Sequence, residues 1–300
     1  MKRILKGAVI VVGIVLVAAA GFAVLQVRAF NASMAKVYDV PVPTIVRSSD
    51  PAVLARGKHV VESVAGCASS DCHGPDLAGG KPIKFGPIGT VFGSNITPAG
   101  HGGAYSDGEL ARLILHGLKR DGRSLLFMPS PDINWLPDDD IQAVISYIRT
   151  VPPVTKPDGA NEIGFLGKVL DRRDMLPIDV ARRIDHDHRT TAPAPVPTAA
   201  YGAFLSRTCV GCHGEHLSGG PIPGAPSSMP IPKNITKHDS GIKDWTFADF
   251  DRLLTQGVKK NGEKVNPFMP IETLGRFNEV EKQALWSYLE SVPPIAFGGR

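Results

Sequence analysis

The sequence predicts an all-α protein in which two tandem copies of one small helical domain follow an N-terminal transmembrane helix. Three observations carry this. Gly7–Leu25 contains no charge and no strongly polar side chain, and Lys2, Arg3 and Lys6 precede it. A set of short motifs recurs at offsets of 139 to 141 positions: Asn95-Ile96-Thr97 as Asn234-Ile235-Thr236, Gly117 as Gly257, Phe127-Met128-Pro129 as Phe268-Met269-Pro270, and Val151-Pro152-Pro153 as Val292-Pro293-Pro294. A steady offset is the mark of a duplicated unit. Finally, 32 Gly, 26 Pro and 7% aromatic residues suit small helical domains with long loops better than a long bundle or a β-sandwich.

Each element follows from local chemistry. At about 1.5 Å per residue the first apolar run just crosses a hydrocarbon core of about 30 Å. The cations before it should stay in the cytoplasm, which places the rest of the chain outside, on the periplasmic face of a bacterial inner membrane. A cleavable signal peptide is the alternative, with small-residue sites at Ala18-Ala19-Ala20 and around Ala23; its apolar region usually runs only about 7–15 residues. Residues 1–30 are therefore read as anchor or signal, and 31–49 as a tether. The first domain, 50–153, opens at Ser49-Asp50-Pro51, where a cap and a first-turn proline start a helix running to about Val64. Ser106 and Glu109 form a capping box before Leu110, Leu113 and Ile114. Ile141, Val144, Ile145 and Ile148 line one face of a closing helix that stops at Val-Pro-Pro. Residues 154–198 read as an inter-domain linker whose Thr190–Pro197 stretch is stiff and extended. In the second domain, 199–300, Thr246 and Asp249 start a helix with Phe247, Phe250, Leu253 and Leu254 inward. Asn278 then caps a closing helix with Val280, Ala284, Leu285, Tyr288 and Leu289 on one face. No strand is predicted.

The net charge of +4 resides entirely in Lys2, Arg3, Lys6 and Arg28, and the body beyond residue 30 is neutral. Without a basic stripe it is no nucleic-acid binder.

Four cysteines in an exported chain would ordinarily form two disulfides. Here the spacing argues otherwise. Cys209-Val210-Gly211-Cys212-His213 is the c-type haem attachment pattern. Two thiols reach the two vinyl groups on one edge of the porphyrin, and the next imidazole comes under the ring to ligate iron. A zinc site and a disulfide are the competing readings. Cys67, Cys72 and His73 repeat these parts with two more residues between the thiols. Taken alone, that motif reads as readily as a Cys67–Cys72 disulfide in a turn. The internal repeat makes it a second haem site, for two covalent haems c in all. Met128 lies 55 residues after His73, and Met269 lies 56 after His213, both between Phe and Pro. Such a methionine is normally a core plug, but matched distance and context point to axial ligation opposite His73 and His213. The soft thioether favours ferrous iron and raises the reduction potential. With both axial positions filled, no iron site remains for substrate. Met34, Met175 and Met229 have no repeat partner and read as packing residues. Asp185-His186-Asp187-His188 reads as a solvated turn rather than a metal site. His59, His101, His116, His216 and His238 read as surface or loop residues.

The order of helix, Cys-Cys-His, long loop, distal Met and closing helix makes each half resemble a class I cytochrome c domain. More narrowly, C-x-x-C-H-G, Asn-Ile-Thr, a Trp-Thr or Tyr-Ser helix start, Met-Pro and a closing Tyr helix resemble the cytochrome c subunits of membrane-bound alcohol and gluconate dehydrogenases. Those carry three haems on three such domains. The resemblance covers roughly 50–153 and 199–294. It implies electron transfer, with a dehydrogenase subunit, a quinol-oxidising complex or a terminal oxidase as redox partner. It also implies that Asn95, Asn234 and Trp245 contact haem propionates or the Met loop, although loop capping explains them nearly as well. This chain departs from the pattern in having two domains, a widened Cys67–Cys72 spacing and no basic docking face.

Two classes of function follow. One is a membrane-anchored dihaem electron carrier without its own substrate site. The other is a dihaem redox enzyme of the peroxidase or thiosulfate-dehydrogenase type, which needs a displaceable distal ligand. In a third arrangement only the second domain holds haem, and a disulfide closes the first.

Overall fold

A computed structural model describes all residues except Met1, Asp158, His188, Thr190, Gly224, Pro226 and Ser227. The expectations for His188 and Thr190 therefore fall outside the described residues. Helix α1 (Lys2–Ala35) contains one segment long and apolar enough to cross a membrane, with mean hydropathy 2.6. In the first domain α2 (Pro51–His59) starts where the Asp50 side chain accepts from Ala52 N–H, and it continues into a wider π-type turn, Val60–Val64. After short strands β1 (Ile83–Lys84) and β2 (Gly89–Val91) come α3 (His101–Ala104) and α4 (Asp107–His116). The Ser106–Glu109 capping box opens α4, and Gly117 at φ 63° closes it. Then follow α5 (Ser130–Ile133) and α6 (Asp138–Ile148). Strand β3 (Glu162–Ile163) and α7 (Phe165–Arg172) lie between the domains in sequence. The second domain comprises α8 (Ala199–Leu205), α9 (Arg207–His213), α10 (Phe247–Gln256), α11 (Ile271–Leu274) and α12 (Glu279–Ser291). Both predicted N-caps of its later helices, Thr246 and Asn278, form capping boxes.

One crossing organises each domain. A Cβ added to Gly57 of α2 would lie 2.0 Å from the Ala143 carbonyl oxygen of α6, beside Tyr147. At Gly202 of α8 it would lie 1.9 Å from the Ala284 oxygen of α12, beside Tyr288. Only hydrogen fits at either crossing, so the first and last helices of each unit meet backbone to backbone.

The two domains pack by exchange. Helix α5, just after Met128-Pro129, abuts α9 of the second domain, while α11, just after Met269-Pro270, abuts the Val60–Val64 turn of the first. Trp135 meets Phe204 edge-on at 4.7 Å, and one apolar core runs through both domains. At its edge Glu281, fully buried, accepts from Arg56 at 3.3 Å and lies 2.8 Å from Nε2 of His59. Burial alone would push this carboxyl up; His59, the Asn278 N–H and Arg56 outweigh it and hold the pKa below the usual range. His59 is therefore an interface residue, not the surface residue expected.

Three further expectations change. The sequence predicts no strand, yet β1, β2 and β3 form a small antiparallel sheet in that order. Strands of two or three residues carry no readable alternation. Residues 31–49, expected as a tether, run stapled along the first domain: Tyr38 N–H donates to Gly122 O at 2.9 Å, Arg112 to Val40 O at 3.2 Å, and Ser48 N–H to Ser146 Oγ at 3.0 Å. The expected linker carries β3, α7 and a 3-10 turn, Ala181–Arg183, folded onto the first domain with Ile178, Val180 and Ala181 buried.

His186 is also not a solvated turn residue. Its Nδ1 lies 3.1 Å from Nδ1 of His116, and its ring sits 5.1 Å from Tyr38. Burial, with His186, Arg189 and Arg112 nearby, pulls the His116 pKa down to about 4. The unfolded chain takes up this proton first, near pH 6.5, so stability is complete above that pH and is lost as pH falls towards 4. For a half-buried group screened by solvent, the full window is worth on the order of 1–2 kcal/mol. Urea midpoints at pH 7 and pH 4.5 should fall by less in His116→Gln than in the native protein. Equal losses would assign the acid sensitivity to other groups.

Candidate functional site

Both predicted thiol–imidazole motifs fold to one plan. In the second domain Cys209, Cys212 and His213 lie on α9, where a helix places the two thiols and the imidazole along one turn and the next. Gly214 at φ 81° then breaks the helix. In the first domain the extra two residues are looped out. Ser69 N–H donates to Gly66 O and Cys72 N–H to Ser69 O, while His73 N–H reaches back to Cys67 O at 2.9 Å. A regular helix makes that bond across four residues, as Cys209 and His213 are placed on α9; here it spans six. The insertion therefore changes the path between the thiols but keeps the first cysteine and the histidine in register.

The loops that follow match in their hydrogen bonding. Gly79 N–H donates to His73 O and Gly219 N–H to His213 O, each at 2.9 Å. Leu77 and Leu217 hold positive φ, 58° and 56°, and each accepts from the Ile of the Asn-Ile-Thr motif at 2.9 Å. The residue before that motif completes the site. His73 Nδ1 lies 2.7 Å from Ser94 O, and His213 Nδ1 lies 2.7 Å from Lys233 O. A carbonyl only accepts, so Nδ1 carries the proton and the lone pair of the neutral ring is on Nε2. Burial pulls the His213 pKa down, which favours that neutral ring.

Asn95 and Asn234 brace this arrangement. Asn95 Oδ1 accepts from the Thr97 N–H and hydroxyl, and its Nδ2 donates to Val154 O at 2.7 Å. Asn234 does the same with Thr236 and with Ile295 O at 2.7 Å. Each thus ties the loop under its histidine to the chain just past Val-Pro-Pro. Trp245 is half-buried against the shared core before α10, and Lys237 Nζ donates to its carbonyl at 3.2 Å. Sequence reasoning missed Ser94, Lys233, Val154 and Ile295, because they act through backbone carbonyls that any side chain can carry. It also missed Arg300, whose guanidinium donates to Cys212 O and Gly220 O at 2.9 and 2.8 Å.

All four cysteines are unpaired. Burial pushes the Cys67 thiol up to about 12 and the Cys209 thiol up to about 11. No group of three or more His, Cys, Asp and Glu donors gathers among the described residues.

Met128 and Met269 sit in matching short loops, each packed against the shared core. Met128 N–H donates to Leu126 O at 2.9 Å, and Met269 N–H to Asn266 O at 3.0 Å. In both, the residue after proline donates to the methionine carbonyl at 2.8 Å. Their surroundings differ. Phe127 N–H donates to Ile178 O at 3.0 Å, and its ring packs 5.3 Å from Phe85, so the supposed linker covers this loop. Phe268 is instead 50% exposed, and its N–H is taken by its own neighbour Asn266 at 2.9 Å.

The sequence profile of cytochrome c matches residues 54–152 and 199–293, most of both domains. The chain belongs to the cytochrome c family. The relatives this cytochrome matches include the cytochrome c subunit of an alcohol dehydrogenase (quinone) from Gluconacetobacter polyoxogenes, 27% identical over 82% of this chain and 57% of that one. The gluconate 2-dehydrogenase cytochrome c subunit of Pantoea cypripedii is 32% identical over 32% of this chain and 23% of that one. The fructose dehydrogenase cytochrome subunit of Gluconobacter japonicus is 28% identical over 35% of this chain and 24% of that one. The chain thus spans little more than half the length of the first of these relatives. As a family member it holds haem c covalently, and the unpaired thiols and Nδ1-anchored imidazoles fit that group.

Proposed function

We propose that this cytochrome is a dihaem electron carrier, anchored by α1 with its two domains in the periplasm. In this reading it passes single electrons between a dehydrogenase or quinol-oxidising complex and a downstream respiratory acceptor. The observation that carries the reading is the duplicated brace, His73 on Ser94 O and His213 on Lys233 O. A haem c supplies one-electron redox chemistry at iron when bound; Cys67 and Cys72 would hold one, Cys209 and Cys212 the other. The chain's own residues do the rest. Ser94 and Lys233 carbonyls fix tautomer and ring orientation, and Asn95 and Asn234 hold those carbonyls in place. Met128 and Met269 would each offer a thioether sulfur to the iron held in their own domain, in keeping with a carrier rather than a substrate site.

The exchanged packing supports passage between the two sites. The Met128 loop continues into α5, which rests on α9 with its attachment motif, and the Met269 loop continues into α11, which rests on the Val60–Val64 turn just before Cys67, with Ser63 Oγ donating to Thr273 O at 3.4 Å. The dehydrogenase names of the relatives suggest the donor class. The exposed Phe268 edge offers the more accessible route to a soluble acceptor.

Haem stoichiometry tests the reading. A pyridine haemochrome assay with protein quantitation should give two haems per chain, both retained through acid–acetone extraction. Cys209→Ala should shift the band of one haem only, and Cys67→Ala that of the other. One haem per chain, with Cys67 and Cys72 oxidised to a disulfide, would sink the dihaem reading.

A further inference from the structure

We infer that the C-terminal end of α7 is seated in the phospholipid headgroup layer of the membrane that α1 crosses. The first domain then rests on the bilayer instead of swinging from it. The inference rests on the reading of α1 as a retained anchor.

Helix α1 continues unbroken past the apolar run to Ala35. Its last three turns turn one stripe, Ala23, Gln26, Val27, Phe30, Ser33 and Met34, towards the first domain. Phe30 is buried in a small core with Ile88 and Ile178, and the Ser33 hydroxyl donates to Asp179. Helix α7 lies against this stripe and runs opposite to α1. Its Lys168 ammonium is 5.8 Å from the Phe30 ring, and the Arg173 guanidinium is 5.8 Å from the Phe22 ring.

The second of these contacts sets the depth. Phe22 lies inside the apolar run, which ends at Leu25, and the first charge beyond it is Arg28. Six residues of helix from Phe22 to Arg28 rise about 9 Å. A headgroup layer is about 5–8 Å thick on each side of the hydrocarbon core. A group touching Phe22 therefore lies at or just inside that layer once α1 spans the bilayer, with no spacer between domain and lipid.

The chemistry at that end of α7 suits phosphate-bearing headgroups. Arg173 and Arg28 are exposed cations. The neighbouring carboxylate Asp174 is already held by Arg182 at 2.7 Å and Arg183 at 3.5 Å, so it offers little repulsion. Met175, expected as a packing residue, is 41% exposed, and an unbranched apolar side chain beside arginines is the pattern of an interfacial contact. Residues 31–49, stapled along the domain from Tyr38 to Ser48, leave no slack for it to move away.

The test uses the full-length holoprotein in nanodiscs of phosphatidylethanolamine and phosphatidylglycerol. Nitroxide labels are placed on Met175→Cys, on Arg173→Cys as a second position, and on Phe297→Cys of the second domain, which is 45% exposed. Labels at 175 and 173 should collide with the water-soluble relaxant NiEDDA several-fold less often than the label at 297, and more often with oxygen. Equal NiEDDA accessibility at all three positions, with intact mass showing Met1–Arg28 still attached, would overturn the seat and leave the anchor standing. A protein recovered without detergent and lacking its first twenty or more residues would instead remove the anchor, and the seat with it.

Discussion

Met269→Ala is expected to abolish about half of the weak absorption that a methionine–iron bond gives ferric low-spin haem at the red end of the spectrum. It should also lower the potential of the second haem by on the order of 100 mV, within the range over which axial ligands tune haem iron. The loop should survive the change, because its shape is set by the backbone: Met269 N–H on Asn266 O, Ile271 N–H on Met269 O, and the fixed φ of Pro270. Met128→Ala should remove the other half of the signal. The two variants should differ in one respect. Loss of Met269 should open its iron to carbon monoxide readily, since Phe268 stands exposed, whereas Phe127 beside Met128 is packed on Phe85 and hydrogen-bonded to Ile178, so that iron should open more slowly. Redox titration and stopped-flow carbon monoxide binding read both effects. Fast carbon monoxide binding and peroxide turnover by the unmutated, reduced protein would mean a displaceable ligand, and a dihaem enzyme would replace the carrier.

The largest effect on stability should come from the helix crossings. Alanine at Gly57 or Gly202 puts a methyl group 2.0 or 1.9 Å from a backbone oxygen of the facing helix. Backbone cannot rotate aside as a side chain can, so the helices must separate. Overpacking of this kind costs about 3 kcal/mol or more, a large share of a total stability of about 5–15 kcal/mol. Gly202→Ala should lower the urea midpoint steeply and loosen the second domain first, and Gly57→Ala the first. Unchanged midpoints would show that the paired helices have room to give.

Those two glycines mark where sequence reading stopped. The capping box at Ser106, the caps at Thr246 and Asn278, the proline start at Pro51 and the Val-Pro-Pro ends were legible, because each is set by residues within a few positions of one another. The duplicated thiol–imidazole motifs and the methionine loops were legible because the repeat supplies an internal comparison. A glycine needed by a partner helix more than eighty residues away leaves no local trace.

The chain by itself determined two helical domains of the cytochrome c family behind an apolar helix. Short-range hydrogen bonding, apolar periodicity and the spacing of ligating atoms are all written along the backbone. Tertiary structure alone decided the rest. It showed that the supposed tether and much of the supposed linker pack onto the first domain, that His59 and Glu281 meet across the interface, and that His116 finds His186. It also showed that carbonyls of Ser94 and Lys233 orient the two histidines. These contacts join residues remote in sequence through groups, such as a carbonyl oxygen or a buried charge, whose partner is defined only once packing has excluded water and left one neighbour within reach.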